Sequence, residues 1–353
     1  MRLRRSILTV LALGALASPV IASGCQAQFD PPTLVNGLRL FAVDIDKPYA
    51  HPGDEVTFKM TYHDGYPSPE EGPRPVQILW LGGCFNPPGD EYFACYGQIA
   101  ELFQQVASGG APPAEYFAAG IGLDTFTMPI PEDILAGRPA PEVGPQYGLA
   151  YVFFAACAGN LRPVTDPGGL AGSFPLGCFD AEGRRLGAES FVPGYTQVFV
   201  FGDGRENNIP VIQDLELDGE SLPEDFAAIP TVPACPVTAE ERRETGCAAP
   251  SVATECTSYE LKAIVDPALA DIDPDATSAD GGPLTEVIWV SYFADQGDIT
   301  SGIKLVNDAV RGYNEAHEAS WVPPAEPGVA TVWAVLRDAR GGSSVMRRFI
   351  RVE

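Results

Sequence analysis

Histidine is scarce in this chain, basic residues are outnumbered, and long apolar runs are missing from most of it. Only three histidines, His51, His63 and His317, occur in 353 residues. None stands in an H-E-x-x-H pair or beside a G-x-S-x-G turn, which removes two common hydrolase signatures. All three fall at strand edges or in loops and read as solvated surface groups. No C-x-x-C pair exists and no histidine lies near a cysteine, so a zinc site is not expected. Lysine and arginine number 22 against 47 aspartates and glutamates, a formal charge of −25. Such a surface repels nucleic acid and anionic headgroups, so no nucleic-acid partner is expected. Beyond Leu16 no apolar stretch is long enough to span a bilayer.

What is present starts at the N-terminus. Arg2, Arg4 and Arg5 precede an apolar run from Ile7 to Leu16, and the run relaxes into Ile21-Ala22-Ser23-Gly24-Cys25. A positive n-region with a short h-region marks residues 1–24 as a secretory signal peptide. The small residues ahead of Cys25 resemble the lipobox of bacterial lipoproteins, although Ala22 stands where that family usually has leucine. The resemblance implies a lipidated Cys25 at the mature N-terminus. It also implies outer-membrane residence, because Gln26 follows where aspartate would retain a lipoprotein at the inner membrane. Arg4-Arg5 is similar to a twin-arginine signal too. That route exports folded cargo from a reducing cytosol, where disulfides do not persist, so general secretion is expected. Loss of the three signal arginines takes the formal charge from −25 to −28. Residues 25–34 then form a short tether containing Pro31 and Pro32.

The remaining length suits two domains, and two segments share one grammar. In residues 35–205, strand-length runs rich in β-branched and aromatic residues include Leu38 to Val43, Asp54 to Tyr62, Val76 to Leu81, Tyr147 to Cys157 and Tyr195 to Phe201. Between them, Tyr92, Tyr96, Ile99, Leu102, Phe103 and Val106 have helical spacing, which predicts a helical insertion near residues 90–107. In residues 206–353 the corresponding runs are Val211 to Leu217, Tyr259 to Val265, Glu286 to Val290, Ala330 to Leu336 and Val345 to Val352. A cysteine-containing insertion falls near residues 220–256. The third strands, Gln77-Ile78-Leu79-Trp80-Leu81 and Glu286-Val287-Ile288-Trp289-Val290, each place a tryptophan after two aliphatics. An immunoglobulin-type sandwich buries a tryptophan on that strand.

Pro52-Gly53-Asp54-Glu55-Val56-Thr57-Phe58 resembles the turn and second strand of bacterial immunoglobulin-like and PKD-like domains. Val332 to Asp338, Gly341-Gly342 and Ile350-Arg351-Val352 resemble their closing hairpin. There Val332, Ala334 and Leu336 would face the core, Asp338 would start the turn, and both glycines would supply positive φ. The chain as a whole resembles two-domain surface lipoproteins of Gram-negative bacteria. The expected fold class is therefore all-β: two tandem immunoglobulin-like β-sandwiches, the first with a short helical insertion.

Eight cysteines remain to be placed. In an exported chain, Cys84 with Cys95 and Cys157 with Cys178 read as staples on long loops. Cys247 and Cys256 are set down as a third bridge, with the choice of unpaired cysteine among Cys235, Cys247 and Cys256 left open. Asp271-Ile272-Asp273-Pro274-Asp275 is the best ligand-like run. Alternate carboxylates at Asp271, Asp273 and Asp275 suit a calcium ion, although Ala276 replaces the glycine of an EF-hand loop. Asp203-Gly204-Arg205-Glu206-Asn207-Asn208-Ile209-Pro210 bridges the two segments and is similar to a cadherin calcium linker at Asn208 and Pro210 only. No catalytic constellation is found. The expected function is an envelope-anchored binding or structural module, attached to the membrane through its lipid and facing a protein or glycan partner. The rival is an extracytoplasmic hydrolase with its site in the first insertion.

Overall fold

The computed structural model describes residues 30–67, 73–139, 141–142, 144–164, 175–243 and 256–353. Cys25 and Cys247 lie outside the described residues. The first sandwich contains β1 (Leu38–Ile45), β2 (Tyr49–Ala50), β3 (Glu55–Asp64), β4 (Gln77–Phe85), α1 (Tyr96–Ala107), β5 (Phe117–Ile121), β6 (Thr125–Pro129), β7 (Tyr147–Cys157), β8 (Asn160–Pro163), β9 (Leu176–Phe179) and β10 (Phe191–Phe201). Its sheets run β1-β3-β6 and β2-β10-β7-β4-β5. Alternation along β3 sends Val56, Phe58 and Met60 inward, against Phe126 and Met128 of β6 and Trp80 of β4. Trp80 is fully buried and its indole N–H donates to the Leu123 carbonyl at 2.9 Å.

The second sheet of this sandwich is covered on both sides. Ile99 and Phe103 of α1 pack on Leu79, Leu81, Tyr151 and Phe153, which point away from the main core. That double burial is why β7 reads as a continuous apolar run rather than an alternating one. Single-turn 3-10 segments at Pro88–Asp90 and Tyr92–Cys95 lead into α1. The Cys84–Cys95 disulfide ties that entry to the end of β4, and Cys157–Cys178 ties β7 to β9.

The second sandwich contains β11 (Ile212–Leu217), β12 (Glu220–Ser221), β13 (Thr231–Val232), α2 (Ala239–Arg243), β14 (Tyr259–Val265), β15 (Ile272–Thr277), β16 (Pro283–Thr285), β17 (Ile288–Ala294), β18 (Asp298–Thr300), β19 (Ile303–Asp308), β20 (Gly312–Tyr313), β21 (Ala319–Val322), β22 (Gly328–Asp338) and β23 (Ser343–Val352). Its sheets run β12-β11-β14-β21-β18 and β13-β23-β22-β17-β19-β20. Both halves share one wiring. In each, a two-residue strand lies parallel to the last strand (β2 on β10, β13 on β23), while the main pairings are antiparallel. The chain is thus two tandem immunoglobulin-like sandwiches.

Several details depart from the sequence reading. Trp289 is not the core tryptophan. Ile288, Val290, Tyr292 and Ala294 form the inward face of β17, so strict alternation puts Trp289 on the other side, half-buried. The core indole is Trp321 on β21, fully buried and donating to the Gln296 carbonyl at 3.0 Å. His317 is not a surface group: it is wholly buried, its ring nitrogens lie 2.8 Å from the carbonyls of Asn314 and Ala263, and its own carbonyl accepts the Tyr292 hydroxyl. Cys256 bonds to Cys235, with Cα atoms 4.9 Å apart, and not to Cys247. Cys235 is buried against Val322 and so holds the insertion to the sandwich. The neighbouring Arg242–Asp298 pair, both partners buried, pins α2 at the same place. In the closing hairpin Val332, Ala334 and Leu336 do face the core. Gly341 alone takes a positive φ, 105°. Gly342 is small for a different reason: a Cβ there would collide with the Asp338 carboxylate.

The sandwiches meet along an apolar seam. Val35, Phe41 and Ala42 of the first pack with Trp333 and Val335 of the second. Thr33 and Val35, where the expected tether ends, exchange backbone hydrogen bonds with Ala294 of β17 at 3.0 and 2.8 Å. Ser343 donates its hydroxyl to Asp44 across the seam at 2.7 Å, and Arg337 donates to the Phe41 carbonyl.

Candidate functional site

Beside this seam the linker between β10 and β11 turns through a cleft of about 500 Å³. One wall is aromatic. Alternation along β10 sends Phe199 and Phe201 to the face opposite Val198 and Val200. There they meet Tyr49 and Tyr147, with Tyr49 4.8 Å from Phe201 and Tyr147 5.7 Å from Phe199 between ring centroids. Asp90 accepts the Tyr147 hydroxyl at 2.9 Å and pairs with Arg138 at 2.8 Å, which fixes that ring's tilt. Hydrogen bonding from Arg138 holds the Asp90 carboxyl below the usual carboxylate range.

The opposite wall is β15, which carries Asp273 and Asp275, with Asp271 immediately before it. They are not gathered around a common point. Asp275 takes the Arg205 guanidinium at 2.6 Å, and Arg205 also pairs with Asp203 at 2.6 Å while lying 4.7 Å above the Phe201 ring. Those bonds, Asp203's foremost, raise the arginine's proton affinity and lower that of Asp203. Asp271 accepts the backbone and side-chain N–H groups of Asn208 at 3.0 and 2.6 Å, with Arg340 3.6 Å away. Asp273 accepts the Asp275 backbone N–H at 2.9 Å. Among the described residues no group of three or more His, Cys, Asp or Glu side chains is disposed to hold a metal ion. The guanidinium groups of Arg205 and Arg340 lie against two of the three aspartates instead, Asp275 and Asp271. Ile272 and Pro274 complete this wall, and Ile272 is 63% exposed.

Under the floor lies Glu286, 4% exposed. Its Oε1 accepts the Asp271 backbone N–H at 3.1 Å. Its Oε2 has no hydrogen-bond partner among the described residues, with Arg340 Nε 3.6 Å away. Burial, aided by the charges of Asp338 and Asp271, pushes its pKa up to about 7 despite the opposing N–H bond and Arg340. Asn207 donates to Asp338 at 2.8 Å and locks the linker to the closing hairpin. Buried below Arg340, Glu286 is a structural carboxyl and not a group presented to a ligand.

The linker and β15 were legible as a polar hinge with an acidic run. The arginines that satisfy it, Arg205 and Arg340, were not singled out. Their signal is a shared Asp-x-Arg where a strand runs out, Asp203-Gly204-Arg205 after β10 and Asp338-Ala339-Arg340 at the end of β22. Tyr49 was also missed, because a two-residue strand leaves no periodicity to read. What this cleft offers chemically is aromatic surface beside fixed donors and acceptors, a binding arrangement.

No family model matches the chain, and no curated protein matches it. Among solved structures, the D00-D0 domain of intimin is similar over 90% of this chain and 99% of its own, at 11% identity and a TM-score of 0.21. The fibronectin(III)-like modules of CbhA from Clostridium thermocellum align over 89% and 92%, at 10% identity and 0.21. The tandem Ig repeats of Dlar align over 90% and 98%, at 9% identity and 0.20. Scores this low leave the class of fold to the strand order given above: tandem immunoglobulin-like sandwiches.

Proposed function

We propose that this protein is an outer-membrane lipoprotein, anchored through lipid on Cys25, whose sandwiches form a binding module with the inter-domain cleft as its ligand site. The observation that carries the cleft is its construction: rings of Tyr49, Tyr147 and Phe199 face Ile272 and Pro274 across about 500 Å³, with Arg205 and Arg340 between them. Flat rings beside oriented guanidinium and carboxylate groups suit the apolar faces and hydroxyls of a glycan, and also a protein loop. The arrangement lacks a nucleophile–base pair, which favours binding over hydrolysis.

Two experiments test this. Lipid-free residues 26–353 should capture a component from envelope extracts that Ile272→Asp, an exposed substitution, fails to capture. Sensitivity of the captured material to glycosidase or to protease then assigns its class. Equal capture by both proteins would remove the cleft. For the anchor, Cys25→Ala should move the protein from the detergent phase to the aqueous phase; identical partitioning of wild type and variant would remove the lipid.

A further inference from the structure

The five-stranded sheet of the first sandwich ends in β5, Phe117-Ala118-Ala119-Gly120-Ile121. Pairing with β4 is regular, Leu81 opposite Phe117 through Gln77 opposite Ile121. Gly82 N–H donates to the Tyr116 carbonyl at 2.8 Å and Gly122 N–H to the Val76 carbonyl at 2.9 Å. Hydrogen bonding alternates along an antiparallel strand. Residues 116, 118, 120 and 122 therefore turn their backbone groups to β4, and Phe117, Ala119 and Ile121 turn theirs outward. Among the described residues no bond is made to those outward groups.

Natural sheets guard such an edge with charge, proline, a bulge or brevity. β5 has none of the first three over five residues, and Ala119 and Ile121 are exposed, Ile121 at 76%. The second sandwich does guard the matching edge: β20 has two residues, and beside it β19 carries Lys304. What flanks β5 is acidic, Glu115 before it and Asp124 after it, on a chain of formal charge −25.

We propose that β5 accepts an extended strand of a partner protein by β-augmentation, the incoming strand being apolar at alternate positions and flanked by basic residues. Outward N–H and C=O groups supply affinity, Ile121 and Phe117 supply an apolar strip on one face, and Glu115 and Asp124 supply the preference for basic flanks. Charge of one sign disfavours a second copy of this chain as the occupant. This deepens the binding-module reading but uses an edge separate from the cleft.

The probe is a synthetic peptide of alternating valine and threonine between paired lysines, with lipid-free residues 26–353 as receptor and fluorescence anisotropy as readout. Binding should weaken by about tenfold or more when the peptide's inward-facing amides are N-methylated, since the carbonyls of the edge then lose their donors. Exchanging the lysines for glutamates should weaken it further. Ala119→Pro removes an outward donor that the fold does not use, and should lower affinity similarly with an unchanged circular dichroism spectrum. Should that variant unfold, amide exchange on the wild type decides: peptide should protect Phe117, Ala119 and Ile121. Ile272→Asp should bind the peptide like wild type, separating failure here from failure of the cleft. Equal binding of the methylated peptide, no protection at those amides, or a dimer of the chain abolished by Ile121→Lys would overturn the proposal.

Discussion

The ring of Phe41 in the first sandwich lies 4.9 Å from that of Trp333 in the second, both almost wholly buried, with Phe293, the cross-strand partner of Trp333, 5.3 Å from Phe41. An aromatic cluster of this kind, rather than the polar linker, holds the two halves together. Phe41→Ala should cost about 3–5 kcal/mol in urea unfolding, the range for a buried phenylalanine. Trp333→Ala should cost a similar amount, and the double variant less than the sum, because both remove one contact. Additive effects would mean that the rings are buried independently.

Core tryptophans can be told from peripheral ones in the same experiment. Trp80→Ala and Trp321→Ala should each destabilise by about 3–5 kcal/mol, and Trp289→Ala, at a half-buried position, by about 1 kcal/mol. A larger loss at Trp289 than at Trp321 would reverse the facing of β17.

These three residues also show what the sequence could disclose. Trp80 was legible because β4 places aliphatics on both sides of it, so either phase of the strand is apolar. On β17 both phases are again apolar, and composition could not say whether Trp289 or Val290 pointed inward. Trp321 sits in a four-residue strand next to Pro323, too short for alternation to show. The insertion helix was legible because Ile99 and Phe103 share a face with the tyrosines before them. Asp271, Asp273 and Asp275 were legible as carboxylates, but their partners Arg205 and Arg340 are distant in sequence. Only the fold brings them together.

Glu286 should leave a mark on the pH dependence. Its folded pKa of about 7 lies above the value of about 4.3 for an unfolded glutamate. The folded state therefore binds this proton more tightly. Its contribution to stability is fully present below about pH 4 and is lost as pH rises through 7. Glu286→Gln keeps the shape without the charge. The variant should match wild type near pH 4 and exceed it at pH 8 by up to about 4 kcal/mol. Parallel unfolding curves from pH 4 to 8 would show that Glu286 is not buried as described.

Calcium gives a fourth test. Asp271 is held by Asn208 and Asp275 by Arg205, so a cation would have to displace a guanidinium group to gather these carboxylates. Millimolar calcium should raise the melting temperature no more than magnesium at equal concentration, by screening alone. A larger calcium shift, erased by Asp273→Asn with Asp275→Asn, would instead establish a calcium loop.

The cleft keeps its shape only if the seam holds the two sandwiches as one body, and differential scanning calorimetry tests that most directly. Lipid-free residues 26–353 should unfold in a single endotherm whose calorimetric and van't Hoff enthalpies agree. Phe41→Ala should split it into two transitions, one for each sandwich. Two separate transitions in the wild type, unmoved by Phe41→Ala, would contradict a joined pair and with it the cleft.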